Sequence, residues 1–138
     1  MKFFLDENVN QGMISHLTSI FRPHEFIGVK ELHSKGMDDL ELFDHVASGG
    51  CDVFVTGDLM QLRRPNERDA CRDAGLHWIG IHQVHATGYH TIAGPASTLV
   101  HALPFIIEKL ESTPRPTFFR LKKSERNNTQ VFDSAGHL

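Results

Sequence analysis

A three-layer α/β/α sandwich around a mainly parallel central sheet is the fold class this sequence predicts, on three observations. Short apolar runs alternate with segments of helical spacing, strand then helix, along the chain. The segment Asp52 to Thr56 carries a continuous β-branched and aromatic run, the pattern of a strand buried on both faces of a parallel sheet. Acid follows three apolar runs or turns: Phe3-Phe4-Leu5 leads into Asp6-Glu7, Val53-Phe54-Val55-Thr56-Gly57 into Asp58, and Gly36-Met37 into Asp38-Asp39-Leu40-Glu41. In an open α/β sheet the carboxyl ends of the strands share one edge, so acids distant in sequence converge there.

The elements follow in order. Lys2 to Leu5 reads as a buried strand, and Asn10 caps a helix with Met13, Ile14, Leu17 and Ile20 at helical spacing, ended by Arg22-Pro23. A second strand runs from His24 to Val29. The Ser34-Lys35-Gly36 turn leads to a helix from Leu40 to Ala47 that buries Leu40, Phe43, Val46 and Ala47 and is stopped by Gly49-Gly50. The central strand, Asp52 to Thr56, comes next. Leu59 to Asn66 reads as a basic loop broken by Pro65, and a short helix through Arg68, Arg72 and Ala74 ends at Gly75. Trp78 to Ile81 is a fourth strand. After Gly94-Pro95 a long helix shows Leu99, Val100, Leu103, Ile106, Ile107 and Leu110 on a broad apolar face, with Pro104 placed to kink it. Thr117 to Leu121 supplies a fifth strand. Residues 1–121 therefore form one domain, and the polar stretch 122–138 is expected to be a mobile tail.

The 138 residues carry a net charge of −3, but the sign divides along the chain. Residues 1–60 hold 4 bases and 10 acids, whereas residues 61–138 hold 10 bases and 7 acids. This asymmetry suits an acidic, metal-loaded centre flanked by bases that contact phosphate. Cys51 and Cys71 lack the spacing of a zinc pair and read as reduced structural residues. No run approaches a membrane span, and Met1 to Asp6 meets acid too early for a signal peptide, so a cytoplasmic protein without membrane association is expected. His82, His85 and His90 lack the fixed spacing of a zinc site and read as exposed imidazoles.

Crowded carboxylates repel one another unless a cation joins them, and hard Mg²⁺ or Mn²⁺ ions take oxygen ligands from few protein groups plus water and phosphate. Phosphodiester hydrolysis is the natural chemistry of such a site. Asp6 and Asp58, both at strand ends, are the first two ligands. The third lies among Asp38, Asp39 and Glu41; Asp38 and Glu41 have capping-box spacing, which leaves Asp39 as the ligand and Glu41 in an outer-sphere or base role. Arg63, Arg64, Arg68 and Arg72 are the phosphate-contacting set, with Arg68 and Arg72 one helical turn apart.

Phe4-Leu5-Asp6-Glu7-Asn8, Gly36-Met37-Asp38-Asp39-Leu40-Glu41 and Val53-Phe54-Val55-Thr56-Gly57-Asp58, in this order over residues 1–85, resemble the PIN-like nucleases, especially the small domains related to VapC-type toxins. The resemblance implies a PIN-like sandwich that cleaves RNA with a carboxylate-bound metal, inhibited by a cognate antitoxin and often homodimeric. Asp58 is followed here by Leu59-Met60-Gln61-Leu62, where many relatives have a second Asp and a Phe, and for the fourth acid that the resemblance implies further on, Glu67, Asp69 and Asp73 are loosely placed candidates. Two other classes fit some of the same residues. One is a catalytically silent PIN-like module that binds RNA or protein; the other is a receiver-like phosphoacceptor using Asp6, Glu7 and Asp58, whose lysine after the last strand has Lys122 as its one plausible match.

Overall fold

Alternating side chains in the short strands decide the architecture. In the computed structural model, which describes residues 1–83 and 88–122, strand β1 (Lys2–Leu5) sends Phe3 and Leu5 to one face of the sheet and Phe4 to the other. Strand β3 (Val53–Thr56) does the same with Val53 and Val55 against Phe54, and all four of its residues are buried. A sheet with both faces apolar needs a helical layer on each.

Both layers are present. Helix α1 (Met13–Ile20) packs Met13 and Leu17 onto the Phe3 face, beside Leu99, Leu103, Ile106 and Leu110 of helix α4 (His90–Glu111). On the Phe4 face, helix α2 (Asp39–Ser48) brings Leu42, Phe43 and Val46, and helix α3 (Pro65–Asp73) brings Cys71. Phe54 lies between Phe4 and Phe43, with ring centroids 5.5 and 4.9 Å away. Ring pairs at such distances add about 0.5–1.5 kcal/mol beyond the area they bury.

With β2 (Glu25–Gly28), β4 (His77–Gly80) and β5 (Phe118–Arg120), the sheet has five strands in the order β2-β1-β3-β4-β5. Every adjacent pair is parallel. The chain moves outward from β1 to β2 and then returns across β1 to β3, so the winding reverses between β1 and β3. Ligands bind at the carboxyl ends of strands at such a reversal, and Asp6 and Asp58 follow those two strands.

Some expectations shift. Leu40 is 44 % exposed rather than buried, because Asp38 caps α2 and the core-facing stripe falls on Leu42, Phe43 and Val46. Ile20, in the last position of α1, is also exposed. The segment read as a basic loop is instead a 3₁₀ turn (Gln61–Arg63) followed by α3, and Pro65, which would break a helix internally, stands in its first turn where no backbone donor is needed. Helix α4 starts at His90, four residues before Gly94, and runs through both Pro95 and Pro104. The expected tail from 122 lies, after Lys122, outside the described residues, as does His85.

Candidate metal centre

The end of β1 and the end of β3 are bolted together by side chains. Asp6 is 3 % exposed. Its Oδ1 accepts the backbone N–H of Glu7 at 2.7 Å, and its Oδ2 accepts from Asn8 Nδ2 at 2.7 Å and from the Thr56 hydroxyl at 2.8 Å. Asn8 in turn accepts the backbone N–H of Gly57 at 2.6 Å, so it joins the two strand ends. Burial raises the Asp6 pKa; the bonds from Thr56 and Glu7 oppose that, and the charges of Asp39 and Glu7 add to it. A carboxyl so placed gains from any cation nearby.

The third acidic segment is held by the first. Gly36 adopts φ 72°, a conformation that favours glycine, and its N–H donates to Glu7 Oε2 at 3.0 Å. Beyond it Asp38 accepts the Leu40 N–H at 3.1 Å and so caps α2. Asp39, the first residue of the helix, has no hydrogen-bond or ion-pair partner among the described residues and is half-buried.

Asp39 meets Asp58 and Glu67: one carboxylate oxygen from each lies within 4.8 Å of the others. Among the described residues this is the one grouping of three acidic, histidine or cysteine side chains close enough to share an ion. Two oxygens bound to one Mg²⁺ at about 2.0–2.1 Å stand at most about 4 Å apart, so modest side-chain rotation fits these three to a divalent ion. Asp58 also accepts the Met60 N–H at 2.9 Å, which fixes its orientation. Asp6, close enough to Asp39 to feel its charge, is not in the three-acid group. Glu41 is exposed and outside it. Of Glu67, Asp69 and Asp73, Glu67 is the one whose carboxylate joins this group; its signal was Pro65, a residue favoured at the first helical position, which sets Glu67 in the first turn of α3.

The group borders a polar cleft of about 500 Å³ lined by Asp38, Asp39, Arg63, Arg64, Asn66 and Glu67, among others. Arg64 Nη1 lies 3.0 Å from Asp58 Oδ2 and 3.0 Å from Glu67 Oε1, an internal cation between two of the acids. Arg63 has no carboxylate partner among the described residues and shares this cleft. Arg68 and Arg72 pair instead with their own helix: Arg68 with Asp69 at 3.7 Å, Arg72 with Asp69 at 2.8 Å and Asp73 at 2.9 Å.

The family described as PIN like domain matches residues 1–83, well over half of the chain and all three acidic segments. The chain belongs to the PIN-like domain family. No curated protein and no solved structure matches it. The five-stranded parallel sheet with two helical layers is the α/β/α sandwich of a PIN-like domain, and this membership decides against the receiver-like phosphoacceptor. Glu67 and both helices α3 and α2 belong to the matched span; α4 and β5 complete the sheet and its second layer beyond it. None of the described helices is long and apolar enough to cross a membrane.

Proposed function

We propose that this PIN-like protein is a metal-dependent ribonuclease that hydrolyses RNA phosphodiesters with Mg²⁺ or Mn²⁺, and that it is the toxin of a toxin–antitoxin module acting in the cytoplasm. The observation that carries the reading is the meeting of Asp39, Asp58 and Glu67 beside a polar cleft, next to buried Asp6 at the strand reversal. A divalent ion bound there would supply Lewis acidity and a more acidic water for attack on phosphorus.

The chain's own residues divide the remaining work. Asp39, Asp58 and Glu67 hold the ion, and Asp6 contributes negative charge beside Asp39 while Asn8 and Thr56 keep it oriented. Arg63 faces the phosphate backbone across the cleft, and Arg64 leaves its bridge between Asp58 and Glu67 to do the same when a metal takes over their neutralisation. Arg68 and Arg72 extend the basic surface along α3. RNA as the substrate, a cognate antitoxin and a homodimer rest on the resemblance to VapC-type toxins.

The bridging Arg64 also favours a second reading, a catalytically silent PIN-like module that binds RNA or protein with its acids neutralised internally. Incubating a labelled single-stranded RNA with the wild-type protein and with Asp58→Asn, with Mn²⁺ or with EDTA, separates the two. The nuclease cleaves only as wild type with Mn²⁺. Equal RNA integrity in all four reactions supports the silent module, and equal cleavage by both proteins excludes the carboxylate mechanism.

A further inference from the structure

Gln61 is 2 % exposed and lines a cavity of about 190 Å³ between the 3₁₀ turn, α3 and the edge of β4 and β5. Its Oε1 accepts from the Trp78 indole N–H at 3.1 Å, whereas its Nε2 has no partner among the described residues. Buried donors are nearly always satisfied, so an orphaned one on a cavity wall is a place for a ligand's acceptor. The remaining wall is largely apolar, with Phe43, Leu76 and Trp78 buried behind it and Phe118 exposed at its rim. Glu67 lines this cavity and also belongs to the three-acid group, so the pocket opens beside the proposed metal centre.

We propose that the cavity receives a pyrimidine base of the RNA strand, whose carbonyl oxygen accepts from Gln61 Nε2 while the ring lies against the aromatic wall; this deepens the nuclease reading and rests on it for the choice of RNA. Aromatic walls that take bases by their faces are common in single-strand binding. The volume falls below the roughly 300–1,000 Å³ of sites for drug-sized ligands, which suits one ring. With Oε1 already accepting from Trp78, Gln61 offers the base its Nε2 donor, which a pyrimidine carbonyl oxygen satisfies. Arg68 and Arg72 stand among the lining residues, where the strand's phosphates would pass.

Trp78 is the single tryptophan of the chain, so its fluorescence reports on this cavity alone. The metal-free protein is titrated with uridine, cytidine, adenosine and guanosine. Uridine and cytidine are expected to quench saturably and the purines not. Gln61→Met should weaken pyrimidine binding about 2- to 10-fold, the range of one net hydrogen bond. Phe118→Ala, on the exposed wall where folding is not at risk, should weaken it as well. Absence of saturable quenching by either pyrimidine, equal binding of purines, or undiminished binding by both variants overturns the assignment. Because neither metal nor cleavage enters the titration, its outcome is separate from the Asp58→Asn test of nuclease activity.

Discussion

Replacing Asn8 with alanine removes a side chain that joins the loop after β1 to the loop after β3. Two short bonds go with it: the 2.7 Å donation to Asp6 Oδ2 and the 2.6 Å acceptance from the Gly57 N–H. A hydrogen bond to a charged group contributes about 1.5–3 kcal/mol and a neutral one about 0.5–1.5. Because Asn8 is half-buried and water can replace part of this, the expected loss is about 2–4 kcal/mol. For a domain of this size each kcal/mol lowers the melting temperature by about 3–5 °C, so thermal unfolding followed by circular dichroism should show a drop of roughly 6–20 °C. Asn10→Ala is the control, since the exposed Asn10 side chain makes, among the described residues, only the 2.9 Å bond to the Gly12 N–H. A change below about 0.5 kcal/mol for Asn8→Ala, the range of ordinary surface substitutions, would show that sheet pairing alone holds the strand ends and that the site is not preorganised by this network.

Three further outcomes are expected. Arg64→Ala removes the internal cation between Asp58 and Glu67, so Mn²⁺ should bind several-fold more tightly by calorimetry, and unchanged affinity would contradict the competition. Burial lowers the pKa of His24 and His77 below the ordinary 6.5, and His77 Nδ1 accepts the Thr117 N–H that anchors β5. The unfolded chain therefore binds more protons as pH falls below 6.5, so stability from these groups is full above that pH and is lost as pH drops through their lowered values. Urea melts at pH 7.5 and 5.5 should show the loss, and it should shrink in His77→Gln. Burial pushes the Cys51 thiol up to about 11 and that of Cys71 to about 12, so iodoacetamide at pH 8 should spare both in the folded protein and label both in urea, as read by mass spectrometry.

The strands of this fold were legible because full burial on both faces leaves a continuous apolar signature, as in Val53-Phe54-Val55, and because Gly50 and Gly75 mark turns with positive φ. The acids at strand ends could be read for the same reason: a parallel sheet puts Asp6 and Asp58 on one edge. What escaped was set by tertiary context. Pro65 reads equally as a loop breaker and as the first residue of a helix, and the helix start is what brings Glu67 to Asp58 and Asp39. Gln61 is polar among Leu59, Met60 and Leu62, and only its bond to Trp78, seventeen residues on, makes it a core residue. Arg64 looked like one phosphate-binding base among four, yet its spacing from Glu67, a helical i, i+3 pair, was the signal of an internal bridge.

The claim on which the account turns is that Asp39, Asp58 and Glu67 jointly hold a divalent ion, and titration calorimetry of the metal-free protein with Mn²⁺ tests it most directly. Saturable binding in the wild type, abolished or weakened by at least about tenfold in Asp58→Asn and in Glu67→Gln, the scale of one lost ligand contact of 1.4 kcal/mol, is the expected result. Binding of equal strength in all three proteins, or none in the wild type at millimolar Mn²⁺, would contradict it.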